Sequence, residues 1–491
     1  MKNDRLIGSY RLSVVCCSRN TNGLPFSYLP TLAFALVLTL LLAPPCLSQQ
    51  RWQRTYGGTS EDYGRSIQQT QDGGYIVTGM TASFGNYYQV YLLKTNAQGD
   101  TLWTRTYGGA DYDCGCSVQQ TQDGGYVVAG WTNSFGNSGQ IYLVKTNASG
   151  DTLWTRNYGG TGWDQGYSVQ QTTDGGYIVA GYTSSFGDSE QVYLIKTNAS
   201  GDTLWTRNYG GTRPDYGYSV QQTSDGGYIV AGSTTSFGAG SRNVYLIKTN
   251  VSGDTNWTRT YGGMAQDEGW SVQQTQDTGY IIAGVTYSFG NSSQVYIVKT
   301  NAAGDTLWTK VYGGTSADWG YSVRQTQDGG YVVAGWTDSF GNGSQAYLIR
   351  TNAQGDTLWT RTYGGAGGDY SESVRQTQDG GYVVAGYTTS FGNRVQVYLI
   401  KTDANGSSGV EETAGVRGQR LEVRIKATPN PFITYATIPG YENKTFEMYD
   451  IAGKRVGTYT GDRIGANLPG GVYFLRTSGK TSTPVRIVKV R

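Results

Sequence analysis

The sequence of 491 residues contains no histidine, and charged residues make up only 15% of it. Without histidine there is no Ser/His/Asp triad, no Cys/His pair, no imidazole base and no histidine-ligated zinc or haem. Hydrophobic residues are also few, at 37%. Glycine and tyrosine are abundant by contrast, with 73 and 40 copies. This composition favours short strands and tight turns over helices or disorder.

Cysteine is scarce as well. Three of the five cysteines fall within the first 48 residues, which leaves Cys114 and Cys116. Two cysteines one residue apart form a strained disulfide at best, so we expect no disulfide framework. We interpret them as loop residues, with a small redox or soft-metal site as the alternative. The sequence has no Walker loop, CxxC pair or EF-hand loop, so we expect no cofactor and no metal.

The first 48 residues have the order of a secretory signal peptide: a basic region, an apolar run at 32–43 and small residues before a cut after Ser48. The apolar run is shorter than the roughly 20 residues that a membrane span needs. Lipidation at Cys46 is a rival interpretation. We therefore expect an exported chain with no transmembrane span after cleavage.

From residue 52 the chain repeats itself seven times, with a period of 51 residues and, once, of 52. Each copy has four apolar or β-branched runs of five to seven residues, separated by Asp, Asn and Gly clusters. Such runs are typical of short strands joined by hairpins. The repeating tryptophans are Trp52, Trp103, Trp154, Trp205, Trp257, Trp308 and Trp359.

A repeat of about 50 residues with four strands predicts a propeller blade. The array begins with a lone fourth strand and ends with a third, so neither terminal blade is complete by itself. We therefore predict a seven-bladed β-propeller over residues 49–402, closed by pairing of residues 52–56 with 397–402, which removes two exposed edges. An open solenoid is the alternative.

The repeated segments DGGYIVAG and GDTLWTR resemble those of the DGGY-type β-propeller repeats of secreted bacterial proteins. The resemblance covers residues 52–402.

Beyond residue 402 the composition changes. Residues 403–420 are a polar, glycine-rich linker, and residues 421–491 contain no blade motif. Lys and Arg number 12 against 5 acids in residues 420–491, but 22 against 30 in residues 51–419. Dispersed cations of this kind are typical of solvated faces, so we expect no nucleic-acid partner. The alternating apolar pattern of the tail predicts a small β-sandwich.

Four motifs follow in order through this tail: TPNPF, YDIAGKRV, LPGGVYFLR and VRIVKV. Together they resemble the type A C-terminal sorting domain of the type IX secretion system of Gram-negative bacteria. The resemblance implies export to the periplasm, the type IX translocon as a partner, and a secreted or outer-membrane surface location. The residues that carry it are Pro429, Asn430, Pro431, Asp450, Gly453, Gly471 and Tyr473.

One aspartate recurs in every copy, in the predicted loop between YGG and the first strand. We expect each to bond backbone N–H groups of its own loop as an Asx turn. The alternative is a cation site or a collar for a cationic ligand. The seven are Asp62, Asp113, Asp164, Asp215, Asp267, Asp318 and Asp369.

Two positions vary between otherwise uniform copies and are often aromatic: one follows this aspartate, and the other follows the glycine of the second strand. Because these positions are predicted at the same end of each blade, we expect them to form one binding face, although filling the gaps between blades is the alternative. The candidate ligand-binding residues are Trp131, Tyr182, Trp336, Tyr387, Tyr63, Tyr216, Trp319 and Tyr370.

A carboxylate pair would be needed by a glycosidase, and the acids outside the repeat pattern have no motif around them. We therefore name no catalytic residue. These acids are Glu61, Asp111, Glu190, Glu268 and Glu372.

The sequence thus predicts a secreted or cell-surface binding module for a glycan or protein ligand. Two alternatives share its features: an extracellular polysaccharide-degrading hydrolase or lyase, and a structural adhesion or surface-layer component.

Overall fold

The structure is a computed structural model that describes residues 51–85, 87–136, 138–392 and 394–409. In the tail it describes 436–437, 445–450, 454–460, 463–464, 468–477 and 485–489. The predicted signal peptide, residues 410–420, the TPNPF motif and Gly453 lie outside the described residues. Within the described ranges the regular elements are strands, with no helix. The all-β prediction is confirmed.

Antiparallel four-stranded sheets recur along residues 52–402, so the prediction of repeated propeller blades is confirmed. The first strands are β2 (Asp62–Gln69), β6 (Asp113–Gln120), β10 (Asp164–Gln171), β14 (Asp215–Gln222), β18 (Asp267–Gln274), β22 (Asp318–Gln325) and β26 (Asp369–Gln376). The second strands are β3 (Tyr75–Thr81), β7 (Tyr126–Thr132), β11 (Tyr177–Thr183), β15 (Tyr228–Thr234), β19 (Tyr280–Thr286), β23 (Tyr331–Thr337) and β27 (Tyr382–Thr388).

The third strands are β4 (Gln89–Thr95), β8 (Gln140–Thr146), β12 (Gln191–Thr197), β16 (Asn243–Thr249), β20 (Gln294–Thr300), β24 (Gln345–Thr351) and β28 (Gln396–Thr402). The fourth strands are β1 (Trp52–Tyr56), β5 (Thr101–Tyr107), β9 (Thr152–Tyr158), β13 (Thr203–Tyr209), β17 (Thr255–Tyr261), β21 (Thr306–Tyr312) and β25 (Thr357–Tyr363). Each sheet is built in this order, from first strand to fourth.

The strand β1 lies in the same sheet as the last repeat, in the order β1-β28-β27-β26. It pairs antiparallel with β28, with Trp52 opposite Lys401 and Tyr56 opposite Val397. The turn after β28 continues to Ser408, whose hydroxyl accepts a 2.6 Å hydrogen bond from Gln53. The first residues of the predicted linker therefore pack against β1.

Burial explains why the second and third strands are almost continuously apolar. Every residue of β12 is buried, and the sheet faces pack against neighbouring sheets on both sides. In one such interface Val192 and Leu194 meet Val220 and Val230 of the next sheet. Burial of a side chain of this size contributes about 1.5 to 3 kcal/mol, so these interfaces hold the repeats together without disulfides.

Hydrogen bonds between first strands link each sheet to the next. The hydroxyl of Ser66, for example, accepts a 3.3 Å bond from the N–H of Val118. Equivalent bonds reach Ser117, Ser168, Ser219, Ser271, Ser322 and, from the N–H of Ile67, Ser373. The first strands of neighbouring sheets are therefore joined directly by hydrogen bonds.

An aspartate in each turn between a first and a second strand stabilises that hairpin. Asp174 accepts hydrogen bonds from Thr172, from the N–H of Gly176 and from Lys196, a lysine with only 3% of its surface exposed. Although burial acts against the shift, the bonds from Thr172 and Lys196 lower the pKa of Asp174 to about 2. Gly175 of this turn has a φ of 83°, which the DGG sequence allows.

The tail contains a sheet ordered β31 (Arg455–Thr460), β30 (Thr445–Tyr449), β33 (Gly471–Thr477), β34 (Val485–Lys489). A second pairing joins β29 (Ala436–Thr437) to β32 (Arg463–Ile464). Asp450 lies in the turn after β30 and accepts a 2.9 Å bond from the N–H of Lys454. Tyr473, on β33, is buried and donates a 2.9 Å bond to the carbonyl of Pro469. The described residues of three of the motifs thus lie on strands or next to them.

Candidate ligand-binding site

The seven recurring aspartates are fully buried, and each is the first residue of a first strand, directly after the loop in which it was expected. Asp164 shows why they recur. It accepts a 2.9 Å hydrogen bond from the N–H of Gly160 and a 2.6 Å bond from the hydroxyl of Ser185. The side chain therefore fixes two loops of its own sheet to each other. Among the described residues, no group of three His, Cys, Asp or Glu side chains is arranged to hold a metal.

The two variable positions lie directly opposite each other on the first and second strands. Trp319 faces Trp336 in the register, and Tyr370 faces Tyr387. All eight candidate aromatics are half-buried. Several meet across neighbouring sheets: Tyr63 contacts Tyr387 at 4.9 Å between ring centroids, and Tyr182 contacts Tyr216 at 5.1 Å. Trp131 faces Cys114.

A third variable position, missed in the sequence, lies on the first strands three residues after the aspartate. It coincides with an irregularity of strand register, as between Gly166 and Ser168. Every first strand contributes this side chain to one shared cavity of about 340 Å³, termed the axial cavity. The residues are Arg65, Cys116, Tyr167, Tyr218, Trp270, Tyr321 and Glu372.

One arc of this cavity is aromatic. The rings of Tyr218 and Trp270 stack with centroids 4.1 Å apart. Tyr167 meets Tyr218 edge-on at 5.3 Å, and Tyr321 meets Trp270 edge-on at 5.6 Å. Four consecutive sheets thus present a continuous aromatic wall. Such walls combine a rigid apolar face with polar edges.

The opposite arc is polar and charged, with Glu372, Arg65 and Cys116 on consecutive sheets. Burial raises the pKa of Glu372, and Arg65 opposes that shift. The thiols of Cys114 and Cys116 are free, and their Sγ atoms lie 3.9 Å apart. The contact with Cys116 lowers the pKa of the Cys114 thiol against the effect of burial, and Arg65 adds to the lowering.

A second layer lines the same cavity three residues further along each first strand. In five copies the residue is glutamine, whose side-chain oxygen accepts the N–H of a glutamine in the next sheet, as Gln170 does from Gln222 at 2.6 Å. In the last two copies the residue is Arg324 or Arg375. A guanidinium has no acceptor atom, so neither arginine can form that bond. The five glutamines are Gln68, Gln119, Gln170, Gln221 and Gln273.

Arg324 and Arg375 point into the cavity from neighbouring sheets. Burial, with the nearby Arg375 charge adding to it, lowers the pKa of Arg324, and burial lowers that of Arg375 to about 10. Arg324 donates to the carbonyl of Val323 at 2.6 Å and to the hydroxyl of Ser271 in the preceding sheet at 3.3 Å. Arg375 donates to the carbonyl of Val374 at 3.1 Å. Within the described part of the chain, neither forms an ion pair with a carboxylate.

Two buried donor atoms of the cavity lining have no protein partner among the described residues: Arg65 Nε and Trp270 Nε1. Buried polar atoms are nearly always hydrogen-bonded in folded proteins. Donors left open beside a cavity are therefore a feature that a ligand would explain.

The predicted aromatic face is continuous with this cavity. Trp319 lies 6.0 Å from Tyr321 between ring centroids, and Tyr216 lies 6.1 Å from Tyr218. Trp336 also donates a 3.4 Å hydrogen bond from Nε1 to the hydroxyl of Tyr321. A molecule entering at that end of the sheets would meet both sets of rings.

The non-repeated acids are not brought together. Glu268 is buried and paired with Arg242 at 2.6 Å, and Glu61 accepts a hydrogen bond from Tyr88. Glu372 is the one carboxylate in the cavity lining among the described residues. A mechanism with two carboxylates therefore has no second acid at this place.

The described part of the chain includes no helix long and apolar enough to cross a membrane.

One family model matches two short segments of the sequence. A model described as a domain of unknown function (DUF5122) beta-propeller matches residues 121–152 and 326–357. These segments are equivalent parts of two copies, each spanning a second and a third strand. No curated protein matches the sequence.

Solved structures give similarity at low identity. A protein of unknown function from Bacteroides caccae is 13% identical, with 56% of this chain and 90% of that chain covered and a TM-score of 0.37. BamB from Moraxella catarrhalis is 13% identical, with 71% and 85% covered and a TM-score of 0.36. The Pan2 WD40 domain of Neurospora crassa is 9% identical, with 74% and 100% covered and a TM-score of 0.44.

Proposed function

We propose that this protein is a secreted or cell-surface binding module that takes a glycan or protein ligand at the axial cavity and the aromatic face around it. One observation carries the proposal. In repeats that are otherwise nearly uniform, one position of the seven first strands lines one cavity with five different residue types. A position needed only for the fold would be expected to hold the same residue in each copy.

The proposal includes a closed ring of seven blades over residues 49–402. The pairing of β1 with β28 supports closure, as do two bonds between the first and last sheets. The N–H of Ile67 donates to Ser373, and that of Gln378 donates to Gln69 at 2.9 Å. Both bonds repeat the pattern found between consecutive sheets. A ring would place the variable side chains around one axis.

We further propose that residues 421–491 form a β-sandwich that addresses the chain to the type IX translocon, after a signal peptide at 1–48 and a linker at 403–420. The order of the four motifs supports this assignment, together with the strands β30, β31, β33 and β34 on which three of them lie. The location that follows is the outer-membrane surface or the medium.

Two features favour binding over the alternatives. A structural surface component would not require Arg324 and Arg375 in place of the glutamines that bond the next sheet, or open donors at Arg65 Nε and Trp270 Nε1. A polysaccharide hydrolase would need a second acid near Glu372. A lyase that uses tyrosine and arginine stays an alternative, because both residue types line the cavity.

A double variant, Trp131→Ala with Trp336→Ala, tests the aromatic face. Loss of stacking aromatics costs on the order of 1 kcal/mol each or more, so affinity should fall at least about tenfold while the fold is kept. A glycan-array and protein-capture screen of the full chain supplies the ligand, and calorimetry measures its affinity. Leu204→Ala, on the exposed side of an outer strand, is the control. Unchanged affinity in a folded double variant would contradict the assignment of this face.

A further inference from the structure

The charge of the axial cavity indicates which chemical class of ligand it takes. This inference rests on the proposed binding function. The lining contains three guanidinium groups, Arg65, Arg324 and Arg375, and one carboxylate, Glu372. The cavity therefore carries an excess of positive charge.

The two arginines of the second layer are the informative pair. Five copies keep a glutamine that bonds the next sheet, and the copies with Arg324 and Arg375 give that bond up. Arg324 and Arg375 instead place two like charges on the first strands of neighbouring sheets. These charges repel each other and are partly desolvated. Such an arrangement is costly by itself. An anion between the two guanidinium groups would offset both costs and accept several charge-assisted hydrogen bonds.

The aromatic arc adds a second requirement. Tyr218, Trp270 and Tyr321 line the same space, and Trp270 Nε1 lacks a protein acceptor. A bound molecule that fills the cavity would therefore present a flat or ring-shaped apolar face on one side and acceptor atoms at its edge. The volume of about 340 Å³ is near the lower end for ligand pockets, about 300 to 1,000 Å³.

We infer that the axial cavity binds a small ring-bearing carboxylate, with the acid group between Arg324 and Arg375 and the ring against the aromatic arc. A sugar acid and an aromatic acid share this chemistry, as a free molecule or as the end of a longer chain. The positive lining disfavours neutral and cationic ligands, because they would leave the arginines unpaired.

The chain itself offers the variant that tests this. Arg324→Gln with Arg375→Gln installs the residue found in the other five copies, so the bonds between sheets are restored and the fold should be kept. Arg156→Gln with Arg207→Gln is the matched control, because it removes the same charge from exposed outer strands. Thermal melting verifies that both variants are folded.

Four probes separate the requirements: D-glucuronate, 4-hydroxybenzoate, D-glucose as a ring without the acid, and acetate as an acid without the ring. We expect calorimetry on the full chain to give affinity for at least one ring acid about tenfold or more above that for glucose and acetate. The cavity double variant should lose this preference, and the control should keep it. The tighter of the two ring acids then shows which source the site prefers.

The inference is overturned if glucose binds as well as glucuronate, if the cavity double variant behaves like the control, or if neither ring acid binds. Trp270→Ala distinguishes this failure from that of the proposed function. If a neutral ligand binds the wild type and its binding is lost in Trp270→Ala, the cavity remains the binding site and only the requirement for an acid group is wrong. Ring acids that bind equally to wild type, Trp270→Ala and the arginine variant would show that the ligand lies elsewhere.

Discussion

Deleting residues 51–58 is expected to destabilise the whole repeat array. The deletion removes β1, and with it Trp52, which is 9% exposed and meets Tyr75 of the first sheet at 5.8 Å. The indole also donates to the carbonyl of Ala97 at 3.3 Å, and Tyr56 donates to that of Gly99 at 2.6 Å. The strand thus pairs with the last repeat and packs on the first. Its removal also leaves β28 as an open edge.

Loss of a buried tryptophan alone costs about 3 to 5 kcal/mol. We therefore expect the free energy of unfolding to fall by on the order of 5 kcal/mol or more, and the melting temperature by roughly 10 °C. A synthetic peptide of residues 51–58 should restore part of the loss, and a scrambled peptide should not. If the shortened chain melts with the intact one, closure through this strand is wrong.

Removing residues 421–491 is expected to abolish surface display in a host with a type IX system. The repeat array should still fold, because its sheets and their interfaces lie within residues 52–408. The shortened chain should then accumulate in the periplasm. Fractionation and protease accessibility on whole cells measure the outcome.

A gain-of-function control accompanies this deletion. Residues 403–491 fused to a periplasmic reporter should carry the reporter to the surface in the same host. Normal display of the shortened chain, or a reporter retained in the periplasm, would contradict the role proposed for the tail.

The fold can be predicted from the sequence because the residues of each strand and turn specify that element by themselves. Apolar runs, turn glycines such as Gly175 and the four-strand period specify blades without any long-range information. Pairing of β1 with β28 also follows from the incomplete ends of the array. The recurring aspartates were predicted to bond their own loops, which Asp164 does, although at the start of a strand.

The position three residues after each recurring aspartate could not be recognised as a cavity position from the sequence, for a physical reason. Its signal was available, since Arg65, Cys116, Trp270 and Glu372 are as unlike one another as residues at any other position of the repeat. The position lies inside a run that is typical of an ordinary strand, and the irregular strand register at this position has no sequence signature. The interpretation of Cys116 as a loop residue is therefore wrong, because Cys116 lies on β6. Whether a side chain lines the shared cavity depends on how all the sheets pack together, which no single copy of the repeat specifies.

The aromatic face illustrates an intermediate case. Placement of both variable positions at one end of each sheet was predictable from strand direction, and the register pairs them directly. The sequence leaves filling of the gaps between blades open as the alternative, and it does not specify which rings meet across neighbouring sheets, because that depends on how the sheets pack. Each ring therefore has a packing role in addition to the binding role proposed for it.

The affinity of Trp270→Ala for a confirmed ligand tests the central claim most directly. Trp270 belongs to the axial cavity and not to the outer face, and its stacking on Tyr218 at 4.1 Å makes it the centre of the aromatic arc. We expect binding at least about tenfold weaker than in the intact chain, with Trp270→Phe intermediate and Leu204→Ala unchanged. A folded Trp270→Ala variant that binds as tightly as the intact chain would show that the ligand does not enter the axial cavity.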